Sequence, residues 1–329
     1  MSRTLRAQHD SFPLSHPFRI SRGVKTQAEV ITVELEQGGV VGRGEGVPYA
    51  RYGESIESAL AAIDDVRGAI EGGADRVQLL DLLGPGAARN AVDCALWDLE
   101  ARLGGRSVAA KIGAPEPGRL VSALTIGIDT PMAMAVAASK IADAPLIKVK
   151  VDATIPDAQI RAVRNAAPNA KLIVDPNESW DQQLVRAMQI LLVVLKVDLL
   201  EQPVPAGADE WLEAFTPDVP ICADESVHVA ADLDVVARRY QVVNVKLDKT
   251  GGLTEALALA EAARARGLGL MTGCMISSSL SIAPALHVAR MSDFVDLDGP
   301  IWLMEDRAGG VRDEAGWLWP PQRGFWGTA

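Results

Sequence analysis

The stretch Leu146-Ile147-Lys148-Val149-Lys150-Val151 reads as a buried strand interrupted by two lysines one residue apart. Period-two alternation puts Lys148 and Lys150 on one face and Ile147, Val149 and Val151 on the other. Burying one ammonium is costly, and two like charges side by side cost more. A chain that keeps such a pair points to a base of altered pKa. The plainer reading of a strand lysine is a solubilising charge on an edge strand, and the three apolar neighbours argue against it here.

Outward from this strand the pattern repeats. Short β-rich runs alternate with Ala-rich helical stretches at 120–128, 146–151, 171–175, 197–201, 219–223, 242–247, 269–272 and 294–297. They recur at the interval of a βα unit, and eight of them predict a closed barrel rather than an open sheet. No long periodic segment follows the last run, so a (β/α)7β barrel is expected. Residues before it read as α+β. Val30–Glu36 and Val40–Gly44 flank Gln37-Gly38-Gly39, a hairpin signal. Helical patterns cover Ser55–Ile70 and Ala87–Arg102, the second stopped by Gly104-Gly105. The expected organisation is a capping domain over 1–115, a barrel over 116–299 and a segment over 300–329. That last segment holds Trp302, Trp317, Trp319 and Trp326, and is predicted to pack back on the capping domain.

The chain has 329 residues, 48 % of them hydrophobic, and a formal charge of −11. That charge disfavours a nucleic-acid partner. Cys94, Cys222 and Cys274 are too scattered for a disulfide framework or a zinc site, which fits a reducing cytoplasm. The N-terminal residues lack a signal-peptide core, and no apolar run reaches the ~20 residues of a membrane span.

Polar residues collect where the runs end, the end at which barrel enzymes place their chemistry. The third, fourth and fifth runs end in Asp175, Glu201 and Asp224. Three carboxylates together repel unless a cation sits between them, and hard oxygen donors suit Mg²⁺. Each acid alone could be a helix cap, but three in successive units flanked by lysine strands point to a metal. Lys246 lies in the sixth run, across the barrel from Lys148 and Lys150. A substrate held over the metal would have a lysine on each side, and an adjacent lysine and a nearby metal are both expected to lower the pKa of the base. The eighth run carries Asp296 and Asp298. His287 lies in a helical pattern and reads as structural.

These features resemble the enolase superfamily, in the subgroup of muconate-lactonizing enzymes, whose sites use a Lys or His base with Mg²⁺. Phe18–Gly23, Pro48–Glu54, Gly273-Cys274-Met275 and Asp296-Leu297-Asp298 resemble the dipeptide epimerases within it. The resemblance implies that Lys150 and Lys246 are the acid/base pair and that Lys148 contacts the substrate carboxylate. It implies that Asp175, Glu201 and Asp224 bind Mg²⁺, and that Asp296 and Asp298 hold the α-ammonium of a dipeptide. By the same resemblance Arg22 reaches a glutamyl carboxylate, with Arg19, Arg51 or Lys25 as alternatives. Thr125, Cys274 and Ile276 then line the pocket. Many relatives have Glu after Gly-Cys-Met-x, where this chain has Ser277 and two further serines, a departure that bears on pocket polarity.

The implied reaction is 1,1-proton transfer on the C-terminal residue of a dipeptide such as L-Ala-D/L-Glu, in the recycling of cell-wall peptides. The same site could serve o-succinylbenzoate synthesis or N-acyl amino acid racemisation, which would leave Asp296 and Asp298 without a task. A barrel that only binds a partner is the alternative of a different class. A homo-oligomer is compatible with the resemblance.

Overall fold

The computed structural model describes residues 3–20 and 23–328. Three antiparallel strands open the chain: β1 (Arg3–Ile20), β2 (Gly23–Gln37) and β3 (Val40–Gly46), in that spatial order. Gln37 pairs with Val40 across Gly38-Gly39, whose φ values of 61° and 80° are those that a two-residue hairpin turn demands. β1 is an addition to the expected hairpin. Its alternation is weak because most of its side chains are exposed.

Helices α1 (Ile56–Glu71), α2 (Arg76–Leu82) and α3 (Ala87–Gly104) follow. Ser55 caps α1 reciprocally with Ser58, and Gly105, at φ 58°, ends α3 in the left-handed conformation. On β3, Gly42, Gly44 and Gly46 all face α3. A Cβ at Gly44 would stand 2.1 Å from Ala91 O, and one at Gly46 2.2 Å from Ala87 O. Only a stripe without side chains lets the helix lie directly on the strand.

β4 (Leu120–Val121) precedes the barrel. The barrel strands are β5 (Leu124–Ile126), β6 (Leu146–Lys150), β7 (Lys171–Asp175), β8 (Leu199–Glu201), β9 (Ile221–Ala223), β10 (Val242–Val245), β11 (Gly269–Gly273) and β12 (Phe294–Asp296). They form one parallel sheet in sequence order. Ala123 N donates to Val295 O (2.8 Å) and Leu297 N to Ser122 Oγ (2.8 Å), which brings the first and last strands together into a nearly closed barrel. In place of an eighth helix after β12 there is a short 3₁₀ turn, Gly299–Trp302. Among the described residues no helix is long and apolar enough to cross a membrane.

The C-terminal segment divides its tryptophans. Trp326 is buried and donates to Arg43 O (2.9 Å) and Cys94 O (3.2 Å), and Trp302 meets Phe18 edge-on at 4.5 Å. Trp317 and Trp319 lie instead on β14 (Trp317–Trp319), between β13 (Arg312–Glu314) and β4, under the Arg119 guanidinium. Polar ties fix the N-terminal unit over the barrel. Asp248 accepts from Val47 N (2.8 Å) and Asn90 Nδ2 (2.7 Å), and Arg307 joins Asp10, Thr32, Glu45 and Ser278.

Candidate active site

All five residues of β6 are buried, and Lys148 and Lys150 are 1 % and 7 % exposed. The parallel register sets Lys150 beside Asp175 and Thr125 beside Lys148. Lys150 Nζ donates to Asp175 Oδ2 at 2.6 Å, and Lys246 Nζ donates to Asp224 Oδ2 at 2.6 Å. Lys148 Nζ lies 2.7 Å from Glu201 Oε2, 3.1 Å from Asp175 Oδ2 and 2.7 Å from Asp296 Oδ2. Thr125 ties the other end together: its N–H donates to Asp298 Oδ2 (2.8 Å) and its hydroxyl to Asp296 Oδ1 (3.4 Å).

One cavity is lined by Lys148, Lys150, Lys246, Asp224, Asp296, Asp298, Thr125, Cys274 and Ile276, with Phe18, Lys25, Tyr49, Tyr52 and Trp302 from the capping side. Asp175 and Glu201 lie beneath it, 1 % and 0 % exposed. Arg22 lies outside the described residues. Of its alternatives, Lys25 lines the cavity, whereas Arg51 is paired with Glu178 at 2.8 Å. The cavity measures about 70 Å³, below the ~300 Å³ at which small-molecule sites begin. A larger cavity of about 550 Å³ lies between the C-terminal segment and the helix Ser279–Ala289. It holds no lysine and no carboxylate pair, so the chemistry favours the smaller one.

The charges decide the pKa directions. Burial alone would lower Lys148, but Asp296, Glu201 and Asp175 outweigh it and hold its pKa well above the ordinary value. Lys246 is likewise raised, burial being outweighed chiefly by Asp224. Lys148 and Lys246 are each buried against carboxylates rather than alone, and those partners raise them. Burial pushes Asp224 up, but Lys246 and Lys249 hold it well below the carboxylate range. Glu201 is raised by burial and by Asp175, and Asp298 by burial and by Asp296.

Two residues beyond the expected set belong to this cluster. Asn244 Nδ2 donates to Glu201 Oε1 (2.9 Å); it shares the strand face of Lys246, and that alternation was the available signal. Lys249 is 1 % exposed, with Nζ 2.7 Å from Asp224 Oδ1 and 3.0 Å from Asn244 O. It lies past the strand end, where a lysine reads as solvated. On β11 the mouth-facing residue is Gly273, whose Cβ would stand 3.0 Å from Lys246 Cε and 2.8 Å from Asn244 Oδ1, so the missing side chain makes room for both. Two of the three serines are engaged away from the pocket. Ser278 binds Glu45 through its N–H (2.9 Å) and its hydroxyl, and Ser279 binds Asp306 in the same way (2.9 Å).

For a divalent cation, Asp175, Glu201 and Asp224 fit by chemistry, being carboxylates on three adjacent strands. The Lys148 ammonium is already a positive charge seated between two of them. Among the described residues no three acidic, histidine or cysteine side chains are disposed so as to hold a metal ion as they stand. Lys148 is shared by Asp175 and Glu201, and Asp224 meets both Lys246 and Lys249, so taking up an ion means exchanging ammonium contacts for metal contacts.

Comparison with known proteins agrees with this architecture. Residues 2–113 match the mandelate racemase / muconate lactonizing enzyme N-terminal domain, and residues 133–323 match the enolase C-terminal domain-like family. The chain is 49 % identical over 306 residues to an L-Ala-D/L-Glu epimerase of Escherichia coli, covering 92 % of this chain and 95 % of that one. It is 43 % identical to an N-acetyl-D-glutamate racemase of a Pseudoalteromonas species, covering 91 % and 96 %. An enolase family member from Agrobacterium tumefaciens, solved with sodium and L-Ala-L-Glu, superposes with a TM-score of 0.96 at 45 % identity, covering 99 % and 100 %. A dipeptide epimerase from Methylococcus capsulatus, solved with Mg and L-Arg-D-Lys, superposes at 0.89 with 32 % identity and covers 98 % of each chain. The chain therefore belongs to the mandelate racemase / muconate lactonizing enzyme family of the enolase superfamily, beside its dipeptide epimerases, and is an isomerase.

Proposed function

We propose that the protein is a Mg²⁺-dependent dipeptide epimerase that inverts the α-carbon of the C-terminal residue, with L-Ala-D/L-Glu or a related Xaa-Glu dipeptide as substrate. The observation that carries this reading is the single cavity in which Lys150 and Lys246 line the walls while Asp296 and Asp298 form an anionic corner. A neutral N-acyl group offers that corner one N–H and no charge; an α-ammonium offers a positive charge and three N–H donors.

In this reading Asp175, Glu201 and Asp224 hold the metal. When bound, Mg²⁺ supplies positive charge that favours the extra negative charge developing on the substrate carboxylate. Lys150 or Lys246, whichever faces the α-hydrogen, takes the proton as a neutral amine. The resulting enediolate is stabilised by the Lys148 ammonium beside it. The opposite lysine, protonated, returns a proton to the other face, and the centre is inverted. Thr125 keeps the Asp296/Asp298 pair oriented toward the substrate ammonium. Lys25 and Arg22 are the candidates for the glutamyl side chain. Residues 1–115 cap the site, 116–299 supply its chemistry and 300–329 join the two. The physiological setting that fits is recycling of cell-wall peptides.

A second reading has an observation of its own, the 43 % identity to an N-acetyl-D-glutamate racemase. Incubation with L-Ala-L-Glu and with N-acetyl-L-glutamate, separately, in D₂O with Mg²⁺ tells the two apart. Deuterium at the glutamyl α-carbon of the dipeptide, with inversion, is the expected result. Turnover of the N-acetyl compound alone would replace the proposal with the second reading.

A further inference from the structure

Gln202 follows Glu201 directly, and no step above uses it. It is fully buried, and its φ of 30° lies in the left-handed region. Such strain at a residue with a side chain persists only where the surroundings over-determine it. Its N–H donates to Cys222 O (2.9 Å) and its C=O accepts from Glu178 N (2.9 Å). Oε1 accepts from Asp224 N (2.8 Å) and Ser226 N (3.2 Å). The two N–H bonds of Nε2 are shared among Val204 O (2.9 Å), Ser226 Oγ (3.0 Å) and Tyr240 Oη (3.1 Å). Behind these, Asp209 accepts from Ser226 Oγ (2.7 Å) and Tyr240 Oη (2.6 Å), and is paired with Arg239 at 2.8 Å.

Gln202 thus bonds to the segment that follows Asp175, to its own strand end at Glu201 and to the backbone of Asp224. We propose that Gln202 is the positioning residue that sets the mutual spacing of Asp175, Glu201 and Asp224, braced from outside by the Asp209–Tyr240–Ser226 network. This rests on the reading of those three carboxylates as the divalent-cation site. Gln202 does not line the substrate cavity, so it acts through the carboxylates and not on the substrate. The satisfied amide fixes three strand ends whose like charges would otherwise push them apart.

The test is Mn²⁺ binding, read by electron paramagnetic resonance on the full chain. Gln202→Met keeps the side-chain length and removes both polar ends. It is expected to weaken Mn²⁺ binding at least tenfold, with part of the lost kcat recovered at high Mn²⁺. The control is Gln189→Met. Gln189 is also buried and accepts from Asp218 N (2.9 Å) and Val219 N (3.2 Å) on the segment entering β9, so its loss should lower Tm with less than a twofold change in Mn²⁺ affinity. Equal weakening in both variants, or Gln202→Met within twofold of wild type, overturns the proposal. If Gln202→Met does not fold, Tyr240→Phe and Ser226→Ala take its place. Each is expected to weaken Mn²⁺ binding about threefold, and no change in either is a refutation. If Asp224→Asn binds Mn²⁺ as wild type does, the cation-site reading itself fails, a pattern distinct from the others.

Discussion

The two ends of the barrel interior are built from the same strands by the same alternation and come out opposite. At the floor, Ala123, Leu146, Ile173, Leu199, Cys222, Val242 and Met271 form one apolar cluster with Phe294 against it. Two residues further along, on the same face, stand Thr125, Lys148, Asp175, Glu201, Asp224, Asn244, Gly273 and Asp296. A step of two residues, at about 3.3 Å per residue, separates a dry plug from a cluster of buried charges. The plug lets the mouth keep those charges, because closed, well-packed strands hold the carboxylates and ammoniums at short range whatever their repulsions. The comparison teaches that the floor should carry stability and the mouth chemistry, with little exchange of roles.

The largest expected effect is at the mouth. Lys150→Ala and Lys246→Ala should each lower epimerisation by about 10²–10⁴-fold, the usual worth of a positioned acid or base, with circular dichroism unchanged. Each variant should still exchange the α-proton of one epimer in D₂O, and not of the same one. Exchange of both epimers by either variant would break the two-lysine scheme. Next, Asp298→Asn should raise KM for the dipeptide by about 10–100-fold, the cost of losing a charge-assisted hydrogen bond, while leaving Mn²⁺ affinity in place. Equal loss of both would make Asp298 a structural residue.

At the floor, Ile173→Ala should cost about 2–5 kcal/mol in denaturant unfolding with kcat nearly unchanged. A matching fall in kcat would erase the division between the two ends. One further effect lies outside both. Burial lowers the pKa of His287 to about 4 from 6.5. A lowered folded-state value means that its contribution is present above pH 6.5 and is lost as pH falls through 4. The gap amounts to about 3 kcal/mol at about 1.4 kcal/mol per unit. His287→Leu should flatten that limb of stability against pH. An unchanged limb would remove His287 from the account.

Much of this contrast was legible in the sequence because the alternation itself is local. Leu146, Lys148 and Lys150 declare one face, and so do Ile173 with Asp175 and Leu199 with Glu201. The missing last helix was legible too, in the absence of a periodic segment after Leu297. What escaped was set by distant partners. β1 is strand because it pairs with β2, although its own residues are mostly exposed. Lys249 sits on a one-turn helix, and only the backbone of β9 and β10 around it makes it a buried cation. The meaning of Ser278 depends on Glu45, and that of Ser279 on Asp306.

The seam between β5 and β12 has one more consequence. Among the described residues its stitches include the Ala123 amide on Val295, the Leu297 amide on Ser122, the Thr125 hydroxyl on Asp296 and the Thr125 amide on Asp298. The last of these uses a carboxylate that also faces the cavity. Amide hydrogen exchange at Thr125 is therefore a gauge of occupancy, since a ligand that draws on Asp298 changes how often that stitch opens. The place where the barrel closes is also where it would register that its mouth is filled.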